Sequence, residues 1–182
     1  ITLNDDAWKV IDSVDSSTYY LDLKAMRKSG NKSPAQTPYT PSVSLTYAMR
    51  EALTMVLEEG LENRIQRHHT GAIAVRSAAE ALGLKLFARE GDRSNTLTAM
   101  YLPEGVTDDQ LRGTMRNKYN IELAGGQDHL KGKIFRIGNM GITGLPEIAA
   151  TITCLEMTLK ELGIEFESGA GVAAVEDAFL KN

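Results

Sequence analysis

The chain has 182 residues, 42% of them hydrophobic, enough for a real core and too many for a disordered segment. Lysine and arginine together number 20 against 24 acidic residues, a net charge of −4, and this acidic balance excludes a general nucleic-acid binder, which needs clustered cations to neutralise phosphates. No apolar run reaches the roughly 18 residues of a membrane helix, and the single cysteine, Cys154, excludes an internal disulfide and a cysteine-rich zinc site.

The length suits one compact domain or a large piece of a two-domain protein. A lone cysteine fits a reducing cytoplasm. The chain starts at Ile1 rather than Met, so we expect residues upstream of it.

Ile1-Thr2-Leu3-Asn4 reads as the end of a strand whose partners lie outside this chain, with Asn4 or Asp5 capping a short helix. Tyr19-Tyr20-Leu21-Asp22-Leu23 is followed by a basic, polar stretch from Lys24 to Lys32. Residues 33–41 hold Pro34, Pro38 and Pro41 and are expected to be an extended loop carrying the hydroxyls of Thr37, Tyr39 and Thr40. From Ser42 the apolar residues Leu45, Ala48, Met49, Ala52, Leu53, Val56 and Leu57 recur at helical spacing. Gly60 interrupts this helix, a second runs to Leu82, and Gly83 stops it.

Beyond residue 83 the pattern alternates. Strands are expected at 84–88, 96–102, 121–123 and 133–137. Thr107-Asp108-Asp109-Gln110 has capping-box form and opens a helix to Lys118. Pro146 stands in the first turn of a helix whose apolar face is Ile148, Ile152, Leu155, Leu159 and Leu162, and a last helix covers 173–180. The expectation is an α+β layer with helices on one face of a sheet.

Several residues invite a chemical reading. His68 and His69 are helix neighbours that point in different directions and cannot chelate one metal, so they read as a solvated face. Cys154 lies within an apolar helix and reads as a structural thiol. Gly125-Gly126 and Gly138-Asn139-Met140-Gly141 match no phosphate-loop fingerprint and read as turns. Arg136, between Phe135 and Ile137, reads either as an edge-strand charge or as a clamp for a substrate carboxylate through two parallel hydrogen bonds. The hydroxyls of Thr37 and Thr40 on a proline-stiffened loop are plausible phosphate donors.

Taken together, Tyr19-Tyr20-Leu21-Asp22, Thr37-Pro38-Tyr39-Thr40-Pro41, Tyr47-Ala48-Met49-Arg50-Glu51-Ala52-Leu53, Gly60-Leu61-Glu62-Asn63, Arg67-His68, Gly83-Leu84-Lys85-Leu86, Gly125-Gly126 and the run from Gly132 to Gly141 resemble the C-terminal half of a class V, fold-type I aminotransferase dependent on pyridoxal 5'-phosphate. The alanine–glyoxylate and serine–pyruvate members are the nearest in kind. The last residues of the chain carry none of the resemblance.

The resemblance implies the C-terminal domain of such a transferase, α/β in class, with a small antiparallel-rich sheet and helices on one face. It implies a remnant of the large cofactor-binding domain at 1–40, linking helices at 41–82 and a small domain at 83–182. Arg136 would bind the substrate carboxylate. Thr40, and Thr37 with it, would contact the phosphate of the cofactor held by the partner subunit of a homodimer. The Schiff-base lysine, general base of the proton transfer, would lie upstream of Ile1, since none of the lysines here has its setting; no catalytic residue is assigned within the chain, which by itself should be inactive. The substrates would be alanine or serine and glyoxylate or pyruvate, with no metal, nucleic acid or membrane involved. Two alternatives stay open: another class V enzyme, such as a desulfurase or phosphoserine aminotransferase, and a non-catalytic interaction domain.

Overall fold

A computed structural model describes residues 1–181, which form two compact units, residues 1–55 and residues 56 onward. In the first unit, α1 (Asp5–Ser13) begins where Asn4 Oδ1 accepts the amide of Ala7 at 2.9 Å, as a cap should. Residues 1–3 precede this cap without regular structure, Asn4 is extended, and no strand among the described residues pairs with them.

The basic stretch after Tyr20 is a second helix, α2 (Leu23–Gly30), where only a polar segment was expected. Its residues are good helix formers, and Asp22 Oδ1 caps it by accepting the amides of Lys24 and Ala25 at 2.8 and 3.2 Å. Lys24 Nζ reaches the carbonyls of Asp12 and Val14 at the end of α1, where the helix dipole favours a cation. Arg27 pairs with Asp12 and lies 4.2 Å from the centroid of the Trp8 ring. Neither helix buries a large apolar side chain, so these polar ties carry much of the contact between them.

Residues 33–41 form an irregular loop with bends and no helix or strand, as three prolines require. Tyr39 lies between the rings of Tyr19 and Tyr20, at centroid distances of 4.7 and 5.6 Å, and Tyr20 donates its hydroxyl to the Thr40 carbonyl at 3.1 Å. The helix α3 (Val43–Glu59) follows. None of its residues is buried, and Leu45, Met49, Leu53 and Leu57 are each more than half exposed.

The second unit opens with α4 (Leu61–Ala81), entered through Gly60 at φ +83°. Three strands, β1 (Leu97–Tyr101), β2 (Ala124–Gly125) and β3 (Ile134–Gly138), form an antiparallel sheet in the order β1-β3-β2. Between β1 and β2 lies α5 (Asp108–Tyr119), with the reciprocal Thr107–Gln110 capping box the sequence announces. After β3 come α6 (Leu145–Glu161) and α7 (Ala170–Lys181).

Two strand expectations shift. Residues 84–88 make only a single bridge, Leu86 to Met100, and the strand placed at 121–123 is instead Ala124–Gly125, within the expected glycine turn. Thr98 and Met100 of β1 and Phe135 and Ile137 of β3 are buried. Most of them join Val75, Leu111, Met115, Ile152, Leu155, Leu159 and Val175 from the helices in one core. Helices therefore cover one face of the sheet, as expected. Among the described residues no helix is long and apolar enough to cross a membrane.

Candidate functional site

Arg136 stands on β3, the middle strand, so it is no edge charge. Strand alternation puts Phe135 and Ile137 into the core and turns Arg136 to the opposite, half-open face. Its cross-strand partners there are Ala99 and Ala124, both too short to cover a guanidinium. Arg136 Nε donates to the Gly125 carbonyl at 2.9 Å, which fixes the plane of the group. Among the described residues no carboxylate pairs with it, and its two terminal nitrogens have no protein partner.

Arg136 belongs to the lining of a cavity of about 400 Å³ over the open sheet face. Leu97, Phe87 and Leu130 give it apolar walls, and Arg76 and Arg93 also line it. A guanidinium aimed into a cavity with two paired donors free is the geometry that recognises a carboxylate.

Gly125-Gly126 does more than turn the chain. The Gly125 carbonyl holds Arg136, and a side chain at Gly125 would run into Arg112 Nη1 at 2.7 Å. A Cβ at Gly126 would stand 2.0 Å from the Leu130 carbonyl oxygen, so this residue is glycine because backbone approaches backbone. A 3₁₀ turn at Asp128–Leu130 then closes that side of the cavity.

The loop after β3 is held from α4. Arg67 Nε and Nη2 donate to the two carboxylate oxygens of Glu59 at 2.6 and 3.0 Å, and the same guanidinium donates to the carbonyls of Thr143 and Gly141 at 2.8 and 2.9 Å. The hydrogen bonds from Arg67 hold the Glu59 carboxyl below the usual carboxylate range. Asn139, 1% exposed, donates Nδ2 to the carbonyls of His68 and Asn95. Position 71 is tight: a Cβ would stand 3.1 Å from both Asn139 Nδ2 and Ile148 Cδ1, so either side chain would have to give by a few tenths of an ångström.

The other sequence candidates separate. Thr37 and Thr40 belong to the first unit, both near the surface, and their hydroxyls have no partner among the described residues. His68 is half-buried rather than solvated, with Nδ1 2.7 Å from the Arg64 carbonyl. Cys154 is half-buried and free, and burial pushes its thiol up, which suits packing rather than attack. Among the described residues no three histidine, cysteine or acidic side chains cluster as a metal site needs. Sequence reasoning did not find Gly125 as the anchor of Arg136, Arg67 and Asn139 as its loop's supports, or Arg76 and Arg93. The alanines beside Arg136 were the available signal, but they become neighbours only once the register is known.

No protein-family model matches the chain. An uncharacterized aminotransferase of Methanocaldococcus jannaschii is 52% identical over all of this chain and 47% of its own length. The soluble hydrogenase small subunit of a Synechococcus strain is 43% identical over 96% of this chain and 45% of its own. The serine–glyoxylate aminotransferase of Hyphomicrobium methylovorum is 36% identical over 80% and 36%. In structure, the ureidoglycine–glyoxylate aminotransferase of Bacillus subtilis superposes with a TM-score of 0.89 at 28% identity, over 100% of this chain and 47% of that one. The chain spans about half the length of the curated relatives it matches. The resemblance read from the residues and the superposition of the backbone agree: over its whole length the chain is similar to the C-terminal half of class V, fold-type I aminotransferases.

Proposed function

We propose that the protein moves an amino group between a small amino acid, alanine or serine, and a small 2-oxo acid, glyoxylate or pyruvate, with pyridoxal 5'-phosphate as its cofactor. The observation that carries this reading is Arg136: a guanidinium fixed through Nε on the Gly125 carbonyl, unpaired by any carboxylate among the described residues, in the lining of a cavity. Arg136 binds the substrate carboxylate and thereby orients the bond at Cα that must break, a positioning contribution to rate. The apolar walls keep water from that carboxylate and strengthen the pairing. Glyoxylate as amino acceptor is supported by the names of the Hyphomicrobium and Bacillus relatives.

The residues present fit the phosphate end of the cofactor. Thr37 and Thr40 offer two unpaired hydroxyls on a loop stiffened by Pro38 and Pro41, the donor set an anion needs. When bound, the cofactor supplies an electron sink for the carbanion formed at Cα. In our reading the threonines serve the partner subunit of a homodimer. The exposed apolar stripe of α3 marks a contact surface, for such a partner or for another part of the longer protein. The half-buried Cys154 gives no support to a desulfurase. A cytoplasmic setting suits a free thiol.

The test is Arg136→Ala in the full-length protein, assayed with alanine and glyoxylate. KM for both substrates should rise roughly 10- to 100-fold, the cost of a lost charge-assisted pair. The visible absorption of bound cofactor should persist. An unchanged KM overturns the assignment of Arg136.

A further inference from the structure

Three guanidiniums line the cavity, and only one is needed for an α-carboxylate. They come from three places: Arg76 from α4, Arg93 from the loop before β1, and Arg136 from β3. Each is tethered by one main-chain carbonyl: Arg136 by Gly125 at 2.9 Å, Arg76 by Ser94 at 3.1 Å and Arg93 by Ala88 at 3.3 Å. A carbonyl tether fixes the direction of the fork without neutralising its charge.

Arg76 and Arg93 share one carboxylate. Glu80 lies 3.8 Å from Arg93 at the exposed rim, and no carboxylate is in ion-pair range of Arg76 among the described residues. Burial, and then the charge of Arg93, depress the basicity of Arg76, so the two cations stand close together and are incompletely compensated. Counting the charged groups on the cavity wall and their ion-pair partners, Arg76, Arg89, Arg93 and Arg136 face Glu80, Asp92 and Asp128, a surplus of one positive charge. A zwitterionic amino acid on Arg136 leaves that surplus in place. An amino acid with a second carboxylate, carrying one net negative charge, cancels it.

We infer that Arg76 and Arg93 form a second anion subsite in this cavity, one that takes the distal carboxylate of a dicarboxylic amino or 2-oxo acid whose α-carboxylate lies on Arg136. The inference rests on the reading of Arg136 given above. Leu97 and Phe87 also line the cavity and offer apolar cover to the connecting methylenes. The subsite widens the range of the exchange proposed above: a dicarboxylic acid can take the place of one small substrate, while the shorter partner uses Arg136 alone.

The test uses the full-length protein and two unreactive probes, glutarate and butyrate, whose affinities are read by titration calorimetry. Glutarate should bind about tenfold more tightly than butyrate, as expected for one added charge-assisted contact. In Arg76→Met and in Arg93→Met the ratio of the two affinities should fall to about one, and in Arg136→Met both acids should be lost. Methionine keeps an unbranched apolar stem in each case, and two separate variants guard against one failing to fold. Equal affinities in the unaltered chain, with both still lost in Arg136→Met, overturn the second subsite and spare Arg136. Affinities indifferent to Arg136→Met, or no saturable binding of either acid, overturn both readings.

Discussion

At the scale of single residues, the site depends on atoms that are absent as much as on those present. The two glycines before the 3₁₀ turn look alike in sequence but differ in what crowds them. A methyl at Gly125 meets the end of the Arg112 side chain, which can yield by loosening its contacts to Asp108 and Leu123 while the backbone stays in place. A methyl at Gly126 meets the Leu130 carbonyl at 2.0 Å, and backbone cannot move aside without carrying the turn with it. Gly126→Ala should therefore lose about 2–3 kcal/mol of stability in urea unfolding, and Gly125→Ala less than about 1 kcal/mol. Equal losses would show that the close approach is not what selects glycine. Arg136 follows the same logic in reverse: Ala99 and Ala124 beside it leave the guanidinium uncovered, and larger residues there would cap the cavity.

At the scale of elements, α7 has no cap of its own. Gly169, just before it, carries no side chain, and the exposed amides at its start are taken by Glu156 of α6. Glu156 Oε1 accepts from Gly171 at 2.8 Å and Val172 at 3.1 Å, and Oε2 accepts from Gly169 at 3.0 Å. A carboxylate there satisfies orphan donors and meets the positive end of the helix dipole. Glu156→Ala should cost about 2 kcal/mol and speed hydrogen exchange at Gly171 and Val172, while Glu156→Gln, which keeps an acceptor, should cost about half as much. Unchanged exchange at those two amides would place the cap elsewhere. This contact shows where sequence reading stops. The Thr107 capping box is legible because its partners are three residues apart, and the α3 and α6 stripes are legible because helical period is local. Glu156 and its amides are brought together only by the α6–α7 crossing. The same holds for β2: two residues give no period, so a strand at Ala124–Gly125 reads as part of a glycine turn. Polarity hid α2, whose apolar face is small, although Asp22 and a run of good helix formers were there to be read. Arg136 was legible as chemistry but not as a middle-strand residue, since strand order is a long-range fact.

At the scale of the whole molecule, acidity is the condition that reaches the most contacts at once. Four carboxyls are held below their ordinary values: Asp12 by the hydrogen bond from Arg27, Glu59 by Arg67, Glu147 by the Gly144 amide and Glu161 by Lys118. They fall in both units, at the α1–α2 contact, at the loop behind Arg136, at the start of α6 and between α5 and α6. A carboxyl whose value is lower in the folded state than in the unfolded chain binds fewer protons when folded. Its stabilisation is complete above the unfolded value, about 4.5 for glutamate, and fades as pH falls through the folded value. The melting temperature should therefore be level from neutral pH down to about pH 5 and then decline steadily with acid. All four groups lie close to solvent, where salt screens ion pairs, so added salt should flatten the decline contributed by Asp12, Glu59 and Glu161. It should act less on Glu147, whose partner is a main-chain amide. Glu59→Gln isolates the functional part of this effect. It removes the charge that Arg67 holds while leaving the carbonyls of Gly141 and Thr143 in place. The amides of residues 138–144 should then exchange at a rate independent of pH, after correction for intrinsic chemistry, in the range where the unaltered chain loosens. A loop that loosens in acid equally in both proteins would mean that Glu59 does not hold it, and the link from the end of α3 to the strand of Arg136 would fail.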